Sequence, residues 1–275
     1  MDLVLQALIM GVVQGLTEFL PVSSSGHLIV VPFLAGWDDA FITSLAFSVM
    51  LHLGTLVALL VYFREDWARL IPAGLAAVRD RSFRGDADRR LAWLLVAATI
   101  PAALAGLLFN DLIEEQFREV GLVVVMLVVG GVILFIADRV GGRSRAIADV
   151  TFPVATGIGA AQALALIPGI SRSGISISAG RLAGLDREAA ARFAFLMATP
   201  ITAGAIIFEA RRLLTGEAGV TVEIAPLLVG MLAALVSGFA AIHFMLRYLR
   251  TRSLDVFVWY RLGLAAVVLV VWLAR

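Results

Sequence analysis

Apolar residues run along this chain in blocks, not in alternation. Six blocks, roughly 40–63, 91–109, 120–137, 190–210, 225–246 and 257–274, are almost unbroken hydrocarbon. Each approaches the ~20 residues that a helix needs to cross the hydrocarbon layer of a bilayer. None carries the period of two expected of a barrel strand, and lipid offers no partner to the free backbone groups of an open sheet. The pattern predicts an all-α polytopic membrane protein with six full transmembrane helices.

Two further apolar regions are broken by polar residues. Residues 3–35 are interrupted by Pro21 and the run Ser23-Ser24-Ser25-Gly26-His27, and residues 150–184 by Pro168 and the run Ser171-Arg172-Ser173-Gly174. The arms that follow, 28–35 and 175–184, are about ten residues long, half a crossing at ~1.5 Å per residue. Proline also disfavours helix in the residue before it. Each region is predicted as a re-entrant helix-loop-helix hairpin.

The two regions resemble one another. A shift of 148 lays Gly11, Gln14 and Glu18 on Gly159, Gln162 and Leu166, and Ser23 to Gly26 on Ser171 to Gly174. A single integral membrane domain, 1–275, then divides into repeat one, 1–137, and repeat two, 150–275, each a hairpin plus three spans. A hairpin returns to its starting side and three crossings do not. The second repeat is therefore expected to sit inverted, as in many transport folds, with the two loops meeting inside.

Composition adds exclusions. With 61% hydrophobic residues, no cysteine and a net charge of +1, the chain has no disulfides or thiol nucleophile and gives no reason to expect nucleic acid as a partner. The opening MDLVLQAL lacks the basic stretch of a cleavable signal. The basic residues are all Arg, and seven of them fall in loop 64–90 (Arg64, Arg69, Arg79, Arg81, Arg84, Arg89, Arg90). Loops 138–149 and 247–252 carry three each, while the opposite side has Arg118, Arg211, Arg212 and Arg275. By the positive-inside rule the rich side is cytoplasmic, and the first hairpin opens outward. Asp111, Glu114, Glu115, Glu119, Glu209 and Glu217 are expected at solvated membrane edges.

The candidate chemistry lies in the interrupted regions. Gln14 and Glu18 are four apart and share a helix face; the nearby Gly11–Gly15 pair is a close-packing pattern, so this face should point at protein. A carboxylate at that depth costs about 2.5–3.5 kcal/mol, and Arg172 belongs to the same costly class. The two are expected to be partners. The Ser-rich runs open short helices, whose free N–H groups and dipoles favour anions. Gly26 and Gly174 permit close backbone approach. Ser23, Ser24, Ser25, Ser171, Ser173 and Ser176 add donors, and Arg172 adds a fork suited to phosphate oxygens. One Ser would suffice to cap a helix; two facing clusters point to a pyrophosphate. His27 is the residue suited to moving a proton, with His52 held in reserve and His243 read as structural.

The run QGLTE, then FLPVSSSGH, then PGISRSG resembles the undecaprenyl-diphosphatase (bacitracin-resistance) family over essentially the whole chain. Its (E/Q)xxxE motif falls on Gln14 and Glu18, and its PGxSRSGxT motif on Pro168 through Ser176, with Ser for Thr at the last position. The resemblance implies hydrolysis of undecaprenyl diphosphate to undecaprenyl phosphate and inorganic phosphate at the outer face of the bacterial plasma membrane, recycling the carrier lipid for peptidoglycan synthesis. It implies Glu18, Ser24, His27 and Arg172 as catalytic residues, with either Ser24 or an activated water as nucleophile. Gln14, Ser23, Ser25, Gly26, Ser171, Ser173, Gly174 and Ser176 would bind the diphosphate. Glu18 and the phosphate oxygens suit a loosely held Mg²⁺ or Ca²⁺ ion. Membrane lipids are partners, a homodimer is admissible, and the competing reading is a transporter or flippase for a phosphorylated polyprenyl lipid.

Overall fold

In a computed structural model of the chain, residues 2–82, 86–109, 117, 119–142, 144–217 and 219–275 are described. Arg84, Asp111, Glu114, Glu115, Arg118 and Arg143, used above for orientation and loop character, lie outside them. The described residues form helices and no strand; an isolated bridge pairs Arg145 with Leu185. The helices are α1 (Leu3–Phe19), α2 (Ser24–Ala35), α3 (Leu45–Tyr62), α4 (Arg64–Arg79), α5 (Ala87–Leu108), α6 (Val120–Val140), α7 (Phe152–Gln162), α8 (Arg172–Leu182), α9 (Arg187–Thr215), α10 (Ile224–Leu249) and α11 (Asp255–Ala274).

Six of them, α3, α5, α6, α9, α10 and α11, are long and apolar enough to cross a membrane. They fall on the six predicted blocks, and the fold is an all-α polytopic membrane protein. The four helices of the interrupted regions, with 17, 12, 11 and 11 residues, fall short of the ~20 needed for a crossing.

Loop 64–90 is not all loop. Its first part is α4, whose low hydropathy hides it from a search for spans. Leu70 and Ala77 of α4 are buried while Ile71, Leu75 and Val78 are exposed. The Arg residues here are matched by acids: Arg69 pairs with Asp66 and Asp88, and Arg79 and Arg89 both pair with Asp80.

Small residues let the central helices touch. A Cβ on Gly11 would strike the Gly230 carbonyl, and one on Gly15 would strike Ser237 and Ala234 of α10. The Gly11–Gly15 pattern therefore seats α1 on α10, with Gln14 and Glu18 buried. The opposite face of α1 shows Leu5, Leu8, Val12 and Leu16, each about two-fifths exposed, a stripe at helical spacing suited to lipid. At one end of the bundle Asp138 of α6 accepts from Arg187 at 2.7 and 2.8 Å and from the Leu254 amide at 3.2 Å, joining α6, α9 and the approach to α11. Glu209, expected at a solvated edge, is instead 3% exposed and faces Arg212 at 3.3 Å; Glu217 is exposed and bonded to Arg211.

Candidate active site

The two Ser-rich runs fold into elbows of the same local geometry. Ser23 has φ 76° and Ser171 φ 79°, the left-handed region that residues with a Cβ seldom adopt. Each caps the helix that follows: Ser23 Oγ accepts from the Gly26 amide at 3.3 Å, and Ser171 Oγ from the Gly174 amide at 3.1 Å. The helices thus begin inside the clusters, earlier than the arms expected at 28 and 175. The first helical residue is Ser24 in one elbow and Arg172 in the other.

The elbows interlock. The Gly169 amide donates to Ser23 Oγ at 3.1 Å, and Ser173 Oγ donates to the Leu20 carbonyl at 3.0 Å. Each run supplies one bond to the other, so neither elbow can shift alone.

Glu18 stands where they meet. Arg172 donates to Glu18 Oε1 and, with its other terminal nitrogen, to Thr202 Oγ1 at 2.7 Å. Glu18 Oε2 accepts from Ser24 Oγ at 2.5 Å and from Gln14 Nε2 at 3.0 Å. His52 Nε2 lies 3.3 Å from the same oxygen. The other ring nitrogen, Nδ1, is 2.8 Å from the Ser48 carbonyl, which only accepts, so Nδ1 carries a proton. The contact with Glu18 is then attractive when Nε2 is protonated too. Ser24 and Arg172 are partly exposed while Glu18 and Gln14 are buried. The groups that could meet a substrate thus rest on groups that cannot.

His27 is not in this cluster. Its Nδ1 donates to the Ser23 carbonyl at 2.7 Å, which leaves Nε2 of the neutral ring to accept from the Tyr260 hydroxyl at 2.8 Å, with the rings stacked. The expectation that His27 stands beside Glu18 is corrected: the histidine in contact with Glu18 is His52. His243 lies 3.4 Å from Tyr62, away from the carboxylate. Ser25 contacts Ser23 and Ser173 contacts Ser171. Ser176, one turn beyond Arg172, is buried with a hydroxyl that meets no partner among the described residues.

His52 and Thr202 belong to no local motif. The signal His52 leaves is a polar stripe, Ser48, His52 and Thr55, on one face of an otherwise apolar span. The donor set does not fit a resident divalent ion: one carboxylate faces a guanidinium and three further side chains. No group of three or more His, Cys, Asp or Glu suited to a metal occurs among the described residues.

Comparison with known proteins places the chain in a family. A family model described as "Bacitracin resistance protein BacA" matches residues 7–267. Proteins named undecaprenyl-diphosphatase are similar along nearly their full length. The one from Desulforudis audaxviator is 44% identical over 98% of both chains. Those from a Nocardioides species and from Pelobacter propionicus are 44% and 48% identical, covering 97% and 94% of this chain and 95% and 93% of theirs.

Proposed function

The chain belongs to the bacitracin-resistance protein BacA family, and on that premise we propose that its site hydrolyses undecaprenyl diphosphate to undecaprenyl phosphate and inorganic phosphate. The observation that carries the mechanism is the Glu18 carboxylate, bonded at once to Arg172 and to Ser24.

Ser24 donates its proton toward Glu18, so the carboxylate is placed to accept it as Oγ attacks the terminal phosphorus. The bond between that phosphorus and the bridging oxygen breaks, and undecaprenyl phosphate departs with the electron pair. Water then cleaves the phosphoserine, releasing inorganic phosphate and returning the proton to Ser24. Arg172 uses two of its terminal N–H donors on Glu18 and Thr202 and keeps others for phosphate oxygens, where charge spreads in the transition state. The amides at the starts of α2 and α8 complete the cradle. His27, held by Tyr260, serves to fix the first elbow.

The short lengths of α1, α2, α7 and α8 support reading the two helix-elbow-helix units as re-entrant hairpins of an inverted repeat. With the Arg-rich end in the cytoplasm of a bacterial plasma membrane, the site opens to the outer face. Any Mg²⁺ or Ca²⁺ would arrive on the diphosphate's own oxygens.

The test is inorganic phosphate released from undecaprenyl diphosphate by protein purified in detergent, where no gradient can drive transport. Absence of release, with lipid exchanged between leaflets in reconstituted vesicles, would favour a flippase instead.

A further inference from the structure

Arg261 lies inside α11 at 0% exposure. Its guanidinium meets five backbone carbonyls. Nε donates to Leu127 at 3.0 Å, one terminal nitrogen to Pro21 at 3.2 Å and Ile170 at 3.0 Å, and the other to Met126 at 3.2 Å and Gly169 at 2.6 Å. An arginine has five N–H donors, and all five are used. No carboxylate pairs with it among the described residues.

The carbonyls come from three separate stretches of the chain. Pro21 precedes the first elbow, Gly169 and Ile170 precede the second, and Met126 and Leu127 lie in the middle of α6. A trans peptide points its N–H opposite to its carbonyl. Holding the Pro21 and Ile170 carbonyls therefore fixes the planes that carry the amides of Val22 and Ser171. Room for the guanidinium is kept by Gly130: a Cβ there would strike both Arg261 and the Ile170 carbonyl. Packing alone does not explain a charge here, since a buried ion in a membrane protein is costly and a neutral side chain could fill the space.

We infer that Arg261 is the positioning residue of the diphosphate site, binding both elbows at once so that their two anion-receiving helix ends keep one spacing, with an uncompensated positive charge behind them. Glu18 offsets Arg172, so the surplus negative charge of a diphosphate is met by Arg261. The inference rests on the diphosphatase reading and deepens it.

Wild type, Arg261→Lys, Arg261→Gln and Gly130→Ala are purified in detergent. Phosphate release from undecaprenyl diphosphate is measured with inorganic pyrophosphate as competing anion. Lysine keeps the charge but has three donors for five carbonyls. The KM and the pyrophosphate inhibition constant are expected to rise together, about tenfold in Arg261→Lys and Gly130→Ala and about a hundredfold in Arg261→Gln. A residue needed only for folding would lower the active fraction, cutting apparent kcat and leaving both constants unchanged; that result overturns the inference. So do wild-type constants in Arg261→Lys. Should Arg261→Gln fail to purify, the lysine and Gly130 variants carry the test. A wild type that releases no phosphate sinks the diphosphatase reading instead, and pyrophosphate binding by calorimetry then decides for or against Arg261 on the same expected ratios.

Discussion

The two elbows share a backbone and differ in what hangs on it. Both turn on a serine of positive φ, both cap through a glycine amide three residues on, and both start a short helix. The first places a hydroxyl, Ser24, at the opening helical position; the second places a guanidinium, Arg172, at the same position. The helices leading in differ as well. α1 stays helical through Glu18, so Gln14 and Glu18 bond on one face at 3.0 Å. α7 stops at Gln162 and passes into a 3₁₀ turn over Ala163–Leu166, with Leu166 at the position matching Glu18. In the proposed mechanism one elbow thus supplies nucleophile and base and the other the cation, and the reaction needs the difference. Two copies of the second elbow would make an anion cradle with nothing in it to accept a proton, and two copies of the first would lack the guanidinium.

The largest effects should come from removing what each elbow uniquely carries. Ser24→Ala and Arg172→Ala are each expected to lower phosphate release at least about 1,000-fold, while Ser173→Ala should cost under tenfold. Phosphate release by purified variants decides it, Ser173→Ala losing a bond to the Leu20 carbonyl and one to the Ser171 hydroxyl but none to Glu18. Equal losses at Ser24 and Ser173 would break the division of labour between the elbows.

The helix crossings come next. A methyl on Gly15 meets α10 backbone, and one on Gly159 meets the Ala98 carbonyl of α5. Both Gly15→Ala and Gly159→Ala overpack a close contact and should lower stability by about 1–3 kcal/mol, read as a lower Tm in detergent. Gly15→Ala should also depress kcat, because it pushes Glu18 away from Arg172. Gly159→Ala has no such carboxylate downstream.

How much of this could be read beforehand follows from how each feature is encoded. The six spans announce themselves because hydrocarbon length is set by the bilayer and needs no tertiary information. The Ser23 and Ser171 runs were visible because polar clusters are out of place in such surroundings. α4 is hidden by its charges, some of whose partners lie on other elements, Arg192 for Asp66 and Asp88 for Arg69. His52 and Arg261 lie inside spans, and the groups that tie them to the elbows and to Glu18 lie 34 or more positions away in sequence. Spacing rules reach about one helical turn. The same holds for His27: its nearness in sequence to Ser24 is legible, but the Tyr260 hydroxyl bonded to its ring is not.

That last distinction gives a smaller prediction. His52→Phe keeps the ring volume and removes one contact from Glu18 Oε2, leaving Ser24 and Gln14 in place. A roughly tenfold drop in kcat is expected, the scale of one lost charge-assisted contact. An unchanged kcat would show that Glu18 does its work without the His52 contact.

The smallest effect is expected where the elbows' parallel is emptiest. Gln14 and Gln162 occupy matching positions and both are buried, at 0% and 2% exposure. Gln14 supports Glu18 through Nε2, whereas neither amide atom of Gln162 meets a partner among the described residues. A buried amide without a hydrogen bond costs on the order of 1–3 kcal/mol. Gln162→Leu removes that cost at similar volume, so the Tm should hold or rise and phosphate release should stay within about twofold. Gln14→Leu, the same chemical change in the other unit, strips a donor from a buried carboxylate and should lower both. If Gln162→Leu instead abolished activity with the fold intact, the second amide would belong to the diphosphate, and the second elbow would contribute more than a cation to the reaction.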